Sequence, residues 1–150
     1  IVIIAVPLTA INALPAETLS GKHVIDAVNY YHERDGEVDS LLSRKTTTSE
    51  LLASYLPGAK ITKAFNAIPM TQLLSDGKPG GTPNRRALPL AGNDAEGKQH
   101  VEQLYNEFGF DVVDAGPLVE GWRFERGMPS YCVPMTADEL RNALAEARRE

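Results

Sequence analysis

The sequence has 150 residues, a formal net charge of −5 and a pI of about 5.2, with 43% hydrophobic and 23% charged residues. That length fits one domain with a real core, and the composition excludes a disordered chain. The basic residues show no face beyond the short pairs Arg85–Arg86 and Arg148–Arg149, which argues against a nucleic-acid partner, and the single cysteine, Cys132, excludes an internal disulfide and fits a reducing compartment.

The chain opens on IVIIAVP. Ile1 to Val6 form an unbroken apolar run rich in β-branched residues, the pattern of a strand covered on both faces in a parallel sheet. The run is too short for a membrane span and has no basic flank in front, so the protein reads as soluble and cytoplasmic. LTAINALPAETLSGK allows a short helix, interrupted near Pro15 and closed by Gly21. HVIDAVN, residues 23–29, is a second strand, completing a βαβ unit with a right-handed crossover. Residues 30–46 are polar and aperiodic and read as a surface loop. Thr47 and Glu50 make a capping box ahead of LLASYL, a helix that Pro57-Gly58 stops.

KITKAFN, residues 60–66, is the third strand, followed by a helical turn through Leu74 and the loop DGKPGGTPNRR. RALPLAG, residues 86–92, is a fourth strand, which Pro89 demotes to an edge or bulged position. Asn93 and Glu96 cap a helix with the stripe Val101, Leu104, Tyr105 and Phe108, stopped by Gly109. FDVVDAG is the fifth strand. An irregular aromatic stretch follows, in which Trp122, Phe124 and Tyr131 suit a contact surface or a core equally. Thr136 and Glu139 cap a last helix with Leu140, Ala143, Leu144 and Ala147 on one face. Strands alternating with helices predict an α/β fold on a mainly parallel sheet, residues 1–150 forming one domain with a helical extension from about residue 117.

Few motifs carry chemistry. GNDAEGK has the spacing of a phosphate loop, but Gln99 stands where Ser or Thr must follow, and Asp94 and Glu96 would repel a phosphate. A capped helix start explains it better. His23, His32 and His100 fall on a strand start, a loop and a helix, no pair shows metal-ligand spacing, and no metal is expected. Asp26 and Asp114 lie near strand ends, where a site or a structural role is equally open. Ligands of open parallel sheets bind beyond the carboxyl ends of the strands. Here those ends read Val6-Pro7-Leu8-Thr9, Asn29-Tyr30-Tyr31 and Asn66-Ala67-Ile68-Pro69, an apolar and amide rim that suits a flat, uncharged ring.

The order IVIIAVP, GKHVIDAVNYY, LPGAKITKAFNAIP, LPLAGNDAEGK and FGFDVVDAGPL resembles the NADPH-dependent oxidoreductases related to coenzyme F420-dependent NADP reductase, over residues 1 to about 120. The resemblance implies a Rossmann-like, doubly wound sheet. The family's opening strand, glycine-rich turn and helix find no match in this sequence, and IVIIAVP resembles the family's fourth strand. The chain is therefore expected to be the C-terminal portion of such a domain, a fragment or a truncated product. Alone it would bind NADPH weakly or not at all, with an unpaired edge at residues 1–6 that invites association.

The resemblance further implies that Val6, Pro7, Leu8 and Thr9 pass over the cofactor riboses and that Asn29 stands beside the nicotinamide. It places Ala67, Ile68 and Pro69 between that ring and a second substrate, near Tyr30, Asn66 and Met70. The implied reaction is hydride transfer between NADP(H) and a small-molecule substrate, with a deazaflavin of the F420 type as the candidate. Asn66 stands where the family reductase often has histidine, which leaves that substrate open. Two flat rings held face to face need no obligatory acid or base, and no catalytic residue is assigned. A non-catalytic Rossmann-like remnant is one alternative. An NADPH-dependent carbonyl or imine reductase, with Tyr30, Tyr31 or His32 as proton donor, is another. A homodimer is implied for the intact protein.

Overall fold

The β-branched runs pair as expected. In the computed structural model, which describes residues 1–149, β1 (Val2–Ile4), β2 (His23–Asp26), β3 (Lys60–Lys63), β4 (Ala87–Gly92) and β5 (Asp111–Asp114) form a five-stranded sheet in that order. The pairs β1–β2, β2–β3 and β4–β5 are parallel, and β3–β4 is antiparallel. The helices are α1 (Ala16–Leu19), α2 (His32–Asp35), α3 (Asp39–Leu42), α4 (Thr48–Tyr55), α5 (Met70–Ser75), α6 (Ala95–Phe108) and α7 (Ala137–Glu146), with 3₁₀ segments at Leu8–Ala13 and Leu118–Phe124. The result is a Rossmann-like α/β sandwich.

Side chains alternate across the strands. Val24 packs with Ile4, Leu52, Leu56 and Ile61 on one face, while Ile25 packs with Leu88, Leu90, Val101 and Tyr105 on the other. α4 thus covers one face and α6 the opposite one. Leu140 and Leu144 of α7 join Phe124 over Ala87, Ala91 and Val113. Phe124 is fully buried, which removes it from any contact surface and makes it core. Both predicted capping boxes form, at Thr47/Glu50 and Thr136/Glu139.

Several local expectations are corrected. α6 is capped by Asp94, whose Oδ2 accepts from Gly97 N–H at 2.7 Å, one residue beyond the predicted cap. Asn93 instead accepts from Leu118 N–H at 2.9 Å. The polar stretch 30–46 contains the one-turn helices α2 and α3. Arg85 and Arg86, read only as a short basic pair, are both buried. Arg85 donates to the carbonyls of Lys78, Gly109 and Asn106 and pairs with Asp111 at 2.9 Å, which fastens the loop before β4 to the end of α6.

β4 is not an edge strand; it lies between β3 and β5. Proline is tolerated because its missing N–H falls on the β3 side, where pairing is confined to Thr62↔Gly92 and Lys63↔Ala91. There the fully buried Tyr105 hydroxyl donates to Pro89 O at 2.9 Å and accepts from Phe65 N–H at 2.8 Å. One side chain from α6 replaces the missing rung of the ladder.

Gly109 ends α6 with φ of 95°, and a Cβ there would lie 2.5 Å from Lys78 N and 2.7 Å from Gly77 C. Backbone cannot yield as a flexible side chain can. Gly109→Ala is expected to lower unfolding free energy by about 2 kcal/mol or more in chemical denaturation.

Candidate functional site

The carboxyl ends of β1, β2 and β3 point the same way, and the segments after them form one crest. Beneath it lies a buried charge cluster. Asp26, wholly buried at the end of β2, accepts from Val28 N–H at 2.8 Å and from the Ser49 hydroxyl. Lys63, wholly buried at the end of β3, donates to Thr48 Oγ1 at 2.8 Å and Val28 O at 3.3 Å. Its Nζ stands 3.8 Å from Asp26 and 3.6 Å from Glu125, and Glu125 accepts from both the backbone and the hydroxyl of Thr48. Gly121 leaves room for the lysine stem, for a Cβ there would meet Lys63 Cδ at 2.7 Å. Asp26 therefore has a structural part. So has Asp114, which pairs with Lys98 at 2.9 Å and accepts from Gly116 N–H.

Above this cluster the two predicted asparagines meet. Asn29 Nδ2 donates to Asn66 O at 2.9 Å, and Asn66 Nδ2 donates to Asn29 Oδ1 at 3.3 Å and to Phe124 O at 3.0 Å. Asn66 Oδ1 is buried without a donor. Asn66 is turned into place by Phe65, a non-glycine residue with φ of 63°, which Tyr105 holds by hydrogen bond and by ring contact at 4.5 Å between centroids.

The other predicted residues are distributed around these two. Leu8, Ala67 and Ile68 are buried, with side chains in the core, so they could meet a ligand only through backbone. Val6 and Pro69 are half-buried; Pro7, Thr9 and Met70 are exposed. Leu8 and Thr9 line a cleft of about 300 Å³ with Asp35, Val38 and Tyr55. Tyr30 lines a different one, of about 190 Å³, with Thr48, Trp122 and Glu125. Its hydroxyl donates to Gly36 O at 2.8 Å.

Tyr31 bonds the hydroxyl of Tyr131, and its ring lies under the guanidinium groups of Arg34 at 4.8 Å and Arg126 at 4.9 Å. Arg126 pairs with Glu33 at 2.6 Å, and this bond holds the Glu33 carboxyl below its usual range. Arg34 does the same for Asp35. Burial pushes the Tyr131 phenol and the Cys132 thiol upward. Cys132 takes a φ of 58° and donates its N–H to Ala67 O at 3.2 Å, tying the C-terminal segment to the crest.

Two groupings escaped the sequence reading. Lys63 could have been flagged as the lysine inside the apolar strand KITKAFN, although its partners come from three distant segments. The second grouping is one that spacing between histidines alone could not reveal. Glu96 and His100 are four apart on α6, hence on one helix face, and β2 brings His23 to them, with ligand atoms of all three within 4.8 Å of one another.

Parallel strands with flanking helices define a Rossmann-like domain, a fold whose ligands characteristically bind beyond the carboxyl ends of the strands. No family model matches the chain. It is 30% identical over 123 residues to Metalloreductase STEAP3 of Rattus norvegicus, covering 79% of this chain and 23% of that protein. It is 34% identical over 71 residues to the Escherichia coli protein YjhV, covering 47% of this chain and 52% of that one. The chain thus spans about half the length of these relatives or less.

Among solved structures, protein SMa0349 from Sinorhizobium meliloti superposes with a TM-score of 0.73 at 29% identity, covering 90% of this chain and 66% of that one. An Arthrobacter protein provisionally named an F420-dependent NADP reductase superposes with a TM-score of 0.60 at 24% identity, covering 77% of this chain and 54% of that one, and shares the fold. The resemblance read from the residues is met by these likenesses. The chain is thus similar to a metalloreductase over part of that protein's length and shares the fold of a protein named for F420-dependent NADP reduction.

Proposed function

We propose that this chain is the nicotinamide-side portion of an NADP(H)-dependent oxidoreductase that passes a hydride to a flat, conjugated acceptor of the deazaflavin type. The observation that carries the reading is the Asn29–Asn66 pair at the crest, with Asn66 Oδ1 buried and without a donor. A nicotinamide carboxamide offers an N–H of the matching kind, which Asn66 Oδ1 would accept once the crest opened to expose it. NADP(H) would supply the hydride when bound. The chain would bind and orient: Asn29 and Asn66 fix the amide edge, Val6, Pro7, Leu8 and Thr9 follow the riboses, and the segment Ala67-Ile68-Pro69 borders the stacked rings, by backbone at Ala67 and Ile68, and keeps water out. Tyr30 and Met70 would border the second substrate.

A carbonyl acceptor would need a proton donor. Tyr31 already bonds Tyr131, whose phenol burial makes a weaker acid, so a ring acceptor fits better. The name of the rat relative, a metalloreductase, makes oxidised metal chelates the natural comparison acceptor.

The test uses the natural polypeptide that carries this chain, with NADPH deuterated at the transferring carbon. A deazaflavin, oxidised metal chelates and a carbonyl panel serve as acceptors. Deuterium arriving on the deazaflavin is the expected result. Asn29→Ala should lower kcat/KM about tenfold while changing stability by about 1 kcal/mol. Absence of NADPH-dependent turnover with every acceptor would leave the remnant reading standing instead. The reading also carries a cytoplasmic location and a homodimer, the latter checked by sedimentation equilibrium. No helix among the described residues is long and apolar enough to cross a membrane.

A further inference from the structure

At the amino end of β2, opposite the crest, the structure gathers groups that the hydride reading does not use. His23 Nε2 lies 3.3 Å from Glu96 Oε2, and His100 Nε2 lies 4.0 Å from Glu96 Oε1. The two imidazoles meet edge to face with centroids 4.9 Å apart. Two donors on one tetrahedral zinc ion stand about 3.4 Å apart, given bonds of about 2.0–2.1 Å. The spacing of His23 and Glu96 already matches, and His100 would have to move its Nε2 in from 4.0 Å.

A second feature points the same way. A metal-ligating histidine commonly offers its other ring N–H to a carboxylate, which fixes tautomer and ring orientation. His23 Nδ1 is buried and makes no hydrogen bond of good geometry, and Asp94 Oδ2 stands 3.2 Å from it. Asp94 is itself fixed, since the same oxygen caps α6 through Gly97 N–H. Gly97 permits the approach, for a Cβ there would lie 3.2 Å from Asp94 Oδ2 and 3.4 Å from His23 Nδ1.

We infer that His23, Glu96 and His100 form a binding site for a divalent transition-metal ion of the zinc class, with Asp94 orienting His23. Two imidazoles and one carboxylate suit borderline ions such as Zn²⁺ or Co²⁺ and not the oxygen-seeking Mg²⁺ or Ca²⁺. The side chains of His100 and Glu96 are partly open to solvent, at 31% and 61%, which provides an entry path and leaves a coordination position for water. Lys60 Nζ lies 3.7 Å from both Asp94 Oδ1 and Glu96 Oε2, so an ammonium competes for the same carboxylates. The ion would join β2 to α6 and act on stability or assembly, not on hydride transfer.

The test is a zinc titration of the chain, purified without a polyhistidine tag, by calorimetry and by ¹⁵N NMR of the imidazoles. One Zn²⁺ per chain is expected, with the resonances of His23 and His100 shifting and those of His32 unmoved. His100→Ala and Glu96→Gln should each weaken binding more than about tenfold, while His32→Ala leaves it unchanged and Lys60→Met tightens it. Should a variant misfold, the NMR arm on the unaltered chain decides. No saturable zinc binding, shifts at His32 instead, or undiminished binding in His100→Ala would overturn the site.

Discussion

Lys63→Ala is expected to be among the most damaging single substitutions in this protein, lowering unfolding free energy by about 3–5 kcal/mol. Lys63 is wholly buried and lies within 4 Å of Asp26, which is equally buried, and of Glu125. Removing the ammonium leaves the Asp26 carboxylate in the interior with no cation, and Thr48 Oγ1 and Val28 O lose a donor. The mechanism predicts a rescue. In Lys63→Met combined with Asp26→Asn the buried charges go together, and a large part of the lost stability should return, because an apolar replacement of a whole buried pair is often nearly neutral. Urea denaturation of both single variants and of the double variant measures this. Additive losses in the double variant would show that the ion pair is not the source. The crest should respond as well, since Val28 O lies one residue from Asn29.

Tyr105→Phe should lower unfolding free energy by about 2–4 kcal/mol, although it removes a single oxygen. The hydroxyl satisfies two buried backbone groups, Phe65 N–H and Pro89 C=O, and no other partner replaces it. The phenol is held un-ionised by burial, which pushes its pKa upward, so the loss should be nearly constant across neutral pH. Hydrogen exchange offers the sharper check. The Phe65 amide should exchange far faster in the variant, while amides of β2 change little. Pro89→Ala in the Tyr105→Phe background should recover little, because the Phe65 N–H stays unpaired.

The recurring strands, the capped helices and the fold class were legible because each depends on residues close in sequence. The capping boxes at Thr47/Glu50 and Thr136/Glu139 are three-residue interactions and formed as read. The stripe on α6 was right at Val101 and Tyr105, which are buried, whereas Phe108 remains half exposed against Phe65. Pro89 was misjudged for a definite reason. A missing N–H disqualifies a central strand only if that position needs a rung, and a tyrosine sixteen residues later supplied a substitute acceptor-donor. Arg85 and Arg86 read in sequence only as a short basic pair, and their burial came from distant partners. Arg85 is held by the carbonyls of Lys78, Gly109 and Asn106 and by Asp111, and Arg86 by Gln72 and Asp76 through Nη1, its Nε and Nη2 staying buried without a partner.

By itself the sequence determined the alternation of strands and helices, the starts of the capped helices α4, α6 and α7 to within a residue or so, and the amide and apolar character of the strand ends. These follow from periodicity, β-branching and capping, all short-range effects. Only the tertiary structure decided that β4 runs antiparallel inside the sheet, that Asn29 and Asn66 share hydrogen bonds across 37 residues, that Lys63 is enclosed by carboxylates from two other segments, and that His23 joins Glu96 and His100. The reason is common to all four. Buried polar groups must find partners wherever the packed chain brings them, and sheet order, not sequence distance, sets which residues come within 4 Å.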